Sequence, residues 1–473
     1  MTIRTKIVAT LGPATSTLQA VLSLAEAGCD CFRINFSHGT YPQRQQLLDH
    51  VRAAQAKLGV SLAAIADLCG PKIRVSPIAG GSMLLAKGAT LTICRKLEQG
   101  GDGRISTTLA ELVDEVRPGQ PILLDDGQIH LEVVAVNPPE SFTCKVIEGG
   151  TLLGGKGVNL PATELSLSAL TEKDRADVDW LADKGFDYVA LSFVRRREDV
   201  EALRALLTQR GCDAHIIAKI EKPQALEHLE AIVGAADAIM VARGDLGVEM
   251  DLPSVPAAQK RIAALCHTYG KPCIVATQML ESMTHSPVPT RAEVSDVANA
   301  VLDLTDAVML SGETAVGEYP VAAVTMMNRI VTRMQDVQAP CAPTTRPHAP
   351  ANRTAAAIAA AVREILALDQ VSLVAAFTLS GSTALLMAKN RLCCPVLGLS
   401  PNPRTLQRMA LYYGVIPVLS PVAEHTRDVL EVASQAALHK GLAKAGDRMV
   451  VVSGRPLGTS GTTNTLVVHT IQA

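Results

Sequence analysis

Two runs, His215-Ile216-Ile217-Ala218-Lys219 and Ala238-Ile239-Met240-Val241-Ala242, enclose a helical stretch from Gln224 to Val233. Near-continuous apolarity over about five residues is what a strand buried on both faces shows. Two such strands joined through a helix make a parallel pair. The same unit recurs outward in both directions. Downstream stand Cys273-Ile274-Val275-Ala276-Thr277 and Ala307-Val308-Met309-Leu310-Ser311, with a helical stretch from Ser254 to Tyr269 before them. Upstream stand Lys6-Ile7-Val8-Ala9-Thr10, Cys31-Phe32-Arg33-Ile34-Asn35, Ala63-Ala64-Ile65-Ala66-Asp67 and Tyr188-Val189-Ala190-Leu191-Ser192. Eight alternating units predict an α/β fold closed as a (β/α)8 barrel of the TIM type.

One connection breaks the rhythm. After Arg74 no helical pattern returns until about Thr171, and the segment carries short alternating strands such as Ile129 to Val134 and Phe142 to Val146. This predicts a small β-barrel lid domain, residues 75–159, inserted after the third strand, with the barrel formed by 1–74 and 160–340. A Pro-rich linker composition spans residues 340–350. Beyond it, strands at Ser372–Thr378, Val396–Leu399, Arg448–Ser453 and Leu466–His469 predict a C-terminal α/β domain, residues 351–473, with a mainly parallel sheet.

Composition narrows the function. At 473 residues and 48% hydrophobic, the chain has enough apolar material for several cores. Its 44 basic and 46 acidic residues leave a formal charge of -2, with one Trp, six Tyr and six Phe. That excludes a basic, aromatic-rich nucleic-acid surface. No apolar run approaches the roughly 20 residues of a membrane span, and the N-terminal run is too short for a signal peptide. The 11 scattered cysteines have no Cys-x-x-Cys pair. A cytoplasmic, reduced setting is the expectation.

Barrel chemistry gathers at the carboxyl ends of the strands. The polar residues there are Arg33, Asn35, Ser37, Asp67, Lys219, Glu221, Arg243, Asp245, Thr277, Ser311 and Glu313. Lys219 and Glu221, two apart, share one strand face. Glu221 and Asp245 come from adjacent strands, and two carboxylates without His or Cys suit a hard cation, most naturally Mg²⁺. Arg33, Lys219 and Arg243 around it suit an anionic substrate bearing a phosphate or carboxylate. No Gly-x-x-x-x-Gly-Lys-Ser/Thr loop is present, and Gly154-Gly155-Lys156-Gly157 alone signals only a turn.

These residues fall in longer motifs that resemble the pyruvate kinase family. They are Thr5 to Pro13, Arg33-Ile34-Asn35-Phe36-Ser37-His38-Gly39, Lys219-Ile220-Glu221, Val241 to Glu249, Ala276 to Met283, and Pro289 to Ala300 continuing to Ser311-Gly312-Glu313-Thr314-Ala315. The similarity runs through essentially the whole chain in order. It implies Mg²⁺-dependent phosphoryl transfer from phosphoenolpyruvate to ADP, giving pyruvate and ATP, in a cytoplasmic homotetramer of glycolysis. By resemblance, Glu221 and Asp245 hold Mg²⁺, and Lys219 neutralises the transferring phosphoryl group and the enolate. Arg33 grips the phosphate, while Gly244, Asp245 and Thr277 bind the carboxylate. Thr277, Ser311 and Glu313 lie on the route of proton delivery. His38, Arg74 and Lys156 match nucleotide contacts.

One stretch departs from the pattern. Many relatives carry Asp-Thr-Lys-Gly-Pro-Glu after the third strand and require K⁺. This chain reads Asp67-Leu68-Cys69-Gly70-Pro71-Lys72. Asn35, Ser37 and Asp67 remain as oxygen ligands, but a fixed ammonium at Lys72 repels K⁺ and replaces its field. The expectation is a K⁺-independent enzyme. In the C-terminal domain, Thr378-Leu379-Ser380-Gly381-Ser382-Thr383 precedes a helix and resembles the phosphate-binding effector turn of regulated relatives, with Arg455 and the loop 458–463 as its opposite wall. The expected effector is a sugar phosphate or AMP. Two other readings stay open: a Mg²⁺-dependent barrel making or breaking carbon–carbon bonds on pyruvate enolate, and an inactive effector-binding protein. The insert argues against the first and the intact Lys219, Glu221, Asp245 and Thr277 against the second.

Overall fold

The computed structural model describes residues 5–163, 167–335, 337, 353–457, 459 and 461–472. The linker expected at 340–350 lies outside them. All eight apolar runs are strands: Lys6–Leu11, Cys31–Asn35, Ala63–Asp67, Tyr188–Leu191, His215–Ile220, Ala238–Ala242, Cys273–Ala276 and Ala307–Leu310. They pair in parallel in chain order, and Lys6 opposite Ala307 closes the barrel. Alternation sorts their side chains into two cores. Ile7, Ala9, Phe32, Ala64, Val189 and Ile216 pack outward under the helices. Val8, Ile65, Tyr188, Ile217, Met240 and Ile274 belong to the interior core.

That interior core runs on into the C-terminal domain, where Leu406, Met409 and Tyr412 join the same cluster. The Tyr188 hydroxyl donates to the Arg408 carbonyl at 2.8 Å, so the domain seals the amino-terminal mouth of the barrel. A buried ion cluster reinforces this junction. Asp306, just before the eighth strand, pairs with Lys389 at 2.5 Å and Arg391 at 3.2 Å. The Arg391 guanidinium also lies 3.8 Å from the centre of the Tyr413 ring.

The insert folds on a core of its own that includes Leu91, Ile105, Ile122, Leu131 and Phe142. A curled six-stranded sheet runs in the order Val158–Asn159, Pro121–Leu124, Ile129–Asn137, Ser141–Glu148, Thr90–Cys94 and Arg104–Ser106. A ribbon of Ser82–Leu85 and Gly150–Leu153 packs on the same core. Two segments join the insert to the barrel, and they run side by side where Arg74 bridges Gly157. Helical pattern resumes at Glu172–Leu181, capped by Thr171, whose hydroxyl accepts from the Asp174 N–H.

The C-terminal sheet has the order Val415–Leu419, Val396–Ser400, Leu373–Phe377, Arg448–Gly454 and Thr463–Thr470. Only the last pairing is antiparallel. Strand Val415–Leu419 was not anticipated, because Pro417 interrupts its pattern. It is an edge strand, the one place where a missing N–H leaves no ladder bond unmade. Among the described residues no helix is long and apolar enough to cross a membrane.

Candidate active site

The carboxyl ends of the strands converge on Lys219. Its ammonium lies 2.8 Å from Glu221, 3.2 Å from Asp67 and 2.8 Å from the Ser192 hydroxyl. Burial works against this charge, but the Asp67 and Glu221 carboxylates outweigh it and raise the Lys219 pKa above its ordinary value. The ammonium therefore stays protonated throughout the neutral range. Asp67 also holds the Arg33 Nε at 2.5 Å, and Arg33 Nη1 donates to the Thr10 hydroxyl at 3.1 Å. Burial pushes the Asp67 carboxyl up, yet Arg33 and Lys219 more than offset it and keep it below the usual carboxylate value. One carboxylate thus orients two cations, Arg33 and Lys219.

Glu221 is 1% exposed and accepts the Phe193 N–H at 2.7 Å. Its pKa is raised by burial, with Lys219 opposing and Asp245 adding to the rise. Asp245 sits in the first turn of the helix Arg243–Glu249, which starts as the sixth strand ends. Among the described residues no group of three or more His, Cys, Asp or Glu is arranged to hold a metal. A cation at Glu221 and Asp245 would have two carboxylates and no nitrogen or sulfur. That donor set fits Mg²⁺, which keeps most of its shell for water and substrate oxygens.

Thr277 follows the seventh strand at φ +67°, a conformation that a β-branched residue seldom adopts. Its hydroxyl accepts the Gly244 N–H at 2.7 Å, joining two of the residues expected at the substrate carboxylate. Arg243 holds the strained turn. Its Nη2 donates to the carbonyls of Thr277 at 2.7 Å and Gln278 at 3.2 Å, and its Nη1 pairs with Asp296 at 2.7 Å. Arg243 thus braces the Thr277–Gln278 turn and Asp296, a framework role that its expected place beside an anion did not include. The first helical turn swings its side chain off the direction that a continuing strand would have given.

Glu313 is fully buried and accepts the N–H groups of Leu280 at 3.0 Å and Ser311 at 2.6 Å. Burial raises its pKa in spite of those bonds. The Ser311 hydroxyl is buried and makes no hydrogen bond among the described residues, so Ser311 meets Glu313 through its backbone N–H and not through its side chain.

The nucleotide candidates fall into two places. Arg74 and Lys156 meet at the root of the insert, where Arg74 Nη1 donates to the Gly155 carbonyl at 2.9 Å and Lys156 pairs with Asp125 at 2.8 Å. His38 is exposed on the loop after the second strand. Buried Arg44 fixes that loop by donating to the carbonyls of Phe36 and His38 at 2.7 and 3.1 Å. Asn35 stands opposite Asp67 in register and accepts the Ser37 N–H at 3.0 Å, which brings the three oxygen-bearing residues together. Leu68 is buried beside them. Lys72 is exposed and makes no ion pair with Asn35, Ser37 or Asp67 among the described residues. It lines a cleft of about 310 Å³ that it shares with Asn159, Lys222, Asp245 and Glu249.

In the C-terminal domain a small concavity is lined by Thr378, Ser380, Ser382 and Thr383 on one side and Thr459, Gly461, Thr462 and Thr463 on the other. Gly381, at φ +88°, donates its N–H to the Thr378 hydroxyl at 3.0 Å, and Thr383 meets Thr463 at 2.7 Å. Gly458, at the start of the expected opposite wall, is outside the described residues. Arg455 does not line the concavity; its guanidinium turns to Thr426.

Sequence reasoning passed over Ser192 and Thr10. Ser192 ends the fourth apolar run, so the rule that collected the other strand-end residues reaches it too. Thr10 ends the first run in the same way.

Known proteins resemble this chain over nearly its whole length. The family model "Pyruvate kinase, barrel domain" matches residues 2–324, and "Pyruvate kinase, alpha/beta domain" matches residues 356–469. A pyruvate kinase of Mycobacterium intracellulare is 43% identical over 100% of this chain and 99% of its own length. One from Agrobacterium vitis is 42% identical over 98% of both chains. A third, from Geobacillus stearothermophilus, is 41% identical over 99% of this chain and 80% of its own. Two domain models that together span most of the chain, and relatives above 40% identity over nearly all of it, show that the chain belongs to the pyruvate kinase family.

Proposed function

We propose that the chain transfers the phosphoryl group of phosphoenolpyruvate to ADP without requiring K⁺. The carrying observation is Lys219 held between Asp67 and Glu221, with Arg33 on the far oxygen of Asp67. Phosphoryl transfer asks for positioning and charge neutralisation rather than a covalent nucleophile. Glu221 and Asp245 would hold the Mg²⁺, which supplies positive charge to the phosphoryl and carboxylate oxygens. Arg33 binds the phosphate, and Lys219 neutralises charge on the moving group and on the enolate oxygen left behind. The Gly244 and Asp245 N–H groups and the Thr277 hydroxyl bind the carboxylate. Thr277, Ser311 and Glu313 deliver the proton that turns enolate into pyruvate. Arg74, Lys156 and His38 contact the nucleotide, and the insert, residues 75–159, excludes water that would otherwise accept the phosphoryl group.

Loss of a ligand hydroxyl at Leu68 supports K⁺ independence, and the exposed Lys72 ammonium supplies the ion's field once it turns from the cleft toward Asn35, Ser37 and Asp67. The test is pyruvate formation from phosphoenolpyruvate, ADP and Mg²⁺ in buffer free of K⁺ and NH₄⁺. Robust turnover is expected; activation by KCl on the order of tenfold or more overturns the Lys72 argument while keeping the reaction. Silence with and without KCl, and with candidate activators, overturns the reaction itself. The turn at 378–383 is read as the seat of a phosphorylated activator, a sugar phosphate or AMP, in a homotetramer. Ser382→Asp sets a carboxylate against that phosphate and should abolish activation without lowering the basal rate.

A further inference from the structure

Glu249 closes the helix that begins with Arg243, Gly244 and Asp245. It is 2% exposed, and its Oε1 accepts from Lys222 Nζ at 2.8 Å and from Asn159 Nδ2 at 2.9 Å. Each partner belongs to a different working part of the molecule. Lys222 follows Glu221 directly. Asn159 ends the strand by which the chain leaves the insert, three residues after Lys156 and two after Gly157, the bridge partner of Arg74. One carboxylate oxygen therefore ties together the helix carrying Asp245, the segment carrying Lys219 and Glu221, and the root of the insert. All three side chains line the cleft between barrel and insert.

The arrangement is a poor one for stability alone. Glu249 Oε2 is buried and has no hydrogen bond among the described residues. A buried carboxylate with one oxygen unsatisfied carries a desolvation cost that a neutral side chain would avoid. What the charge does provide is a strong, directional hold on two donors at once.

We propose that Glu249 is a positioning residue that sets the angle of the insert at its root, and so the separation between Lys156 and Asp245. Lys156 approaches from the insert and Asp245 from the barrel, and the Asn159–Glu249 hydrogen bond at 2.9 Å joins their two segments at the lid root. Releasing Asn159 lets the insert swing without disturbing the cluster at Lys219. This rests on the reading above that Lys156 contacts the nucleotide.

Asn159→Ala removes the insert's side of the clamp and leaves the Lys222–Glu249 pair intact. The KM for ADP is expected to rise by about five- to tenfold, the scale of one charge-assisted hydrogen bond. The KM for phosphoenolpyruvate should stay within about twofold, because its contacts come from the barrel. Asn159→Asp alone opposes two carboxylates and should be worse. Combining it with Glu249→Gln restores a hydrogen bond of reversed polarity and should recover most of the loss. Hydrogen exchange at the amides of 157–160, measured without substrates, should be about tenfold faster in Asn159→Ala. Unchanged exchange overturns the proposal, as does an equal rise in both KM values or a double variant no better than Asn159→Asp. Faster exchange with an unmoved KM for ADP supports the clamp and overturns the nucleotide role of Lys156.

Discussion

Lys219→Met lowers kcat by on the order of 10³-fold or more, and the loss is not recovered by raising either substrate. The methionine keeps the length of the side chain and removes its charge. In the parent, that ammonium lies within 3.2 Å of both Asp67 and Glu221, and on the proposed reading it meets the negative charge developing on a phosphoryl oxygen or an enolate. Arg33 remains on Asp67, so with Arg33 as the proposed phosphate ligand the KM for phosphoenolpyruvate is expected to change far less than kcat. Glu221 loses its partner at 2.8 Å but keeps both of its oxygens, so on the proposed reading Mg²⁺ still binds. Steady-state kinetics and Mn²⁺ binding on the same variant check both halves. A kcat within about tenfold of the parent would remove Lys219 from the chemistry.

The second large effect is on folding. Asp306→Ala leaves Lys389 and Arg391 buried at the barrel–C-terminal junction without their shared carboxylate. Breaking a buried ion cluster from one side costs about 3–5 kcal/mol, well above the usual effect of a point mutation. Asp306 also accepts the Cys273 N–H at 2.7 Å, so the seventh strand loses an anchor at its start. The urea midpoint for release of the C-terminal domain should fall clearly, and Lys389→Met with Arg391→Met in the same background should recover part of it. A midpoint unchanged by Asp306→Ala would mean that water reaches the junction. The coupled loss has a functional side, because Lys389 ends the helix that begins at Ser382, and Asp306 precedes the strand Ala307–Leu310 that leads directly into Ser311.

Much of this was legible in the chain before any coordinates. Strands buried on both faces announce themselves by short apolar runs, which is why all eight barrel strands were found. Their polar terminal residues, read by position alone, mark out Lys219, Glu221, Asp67 and Thr277. Three features were hidden for separate physical reasons. Pro417 masks a strand because an edge position forgives what a central one forbids. Arg243 stands one residue past a strand end, and whether the chain continues straight or turns into a helix decides which way it points. Lys72 is long and exposed, so its place in the sequence says little about where its ammonium rests. Ser192 was hidden by nothing, and a stricter use of the strand-end rule includes it.

The two segments joining insert to barrel are bridge partners at Arg74 and Gly157. Paired backbones at such a bridge stand about 5 Å apart, a gap that a two-residue turn spans. The insert is therefore a cassette: topologically it can be excised, exchanged or lengthened without rethreading a single barrel strand. A chain built this way can change what closes over its strand ends while keeping the barrel that arranges them.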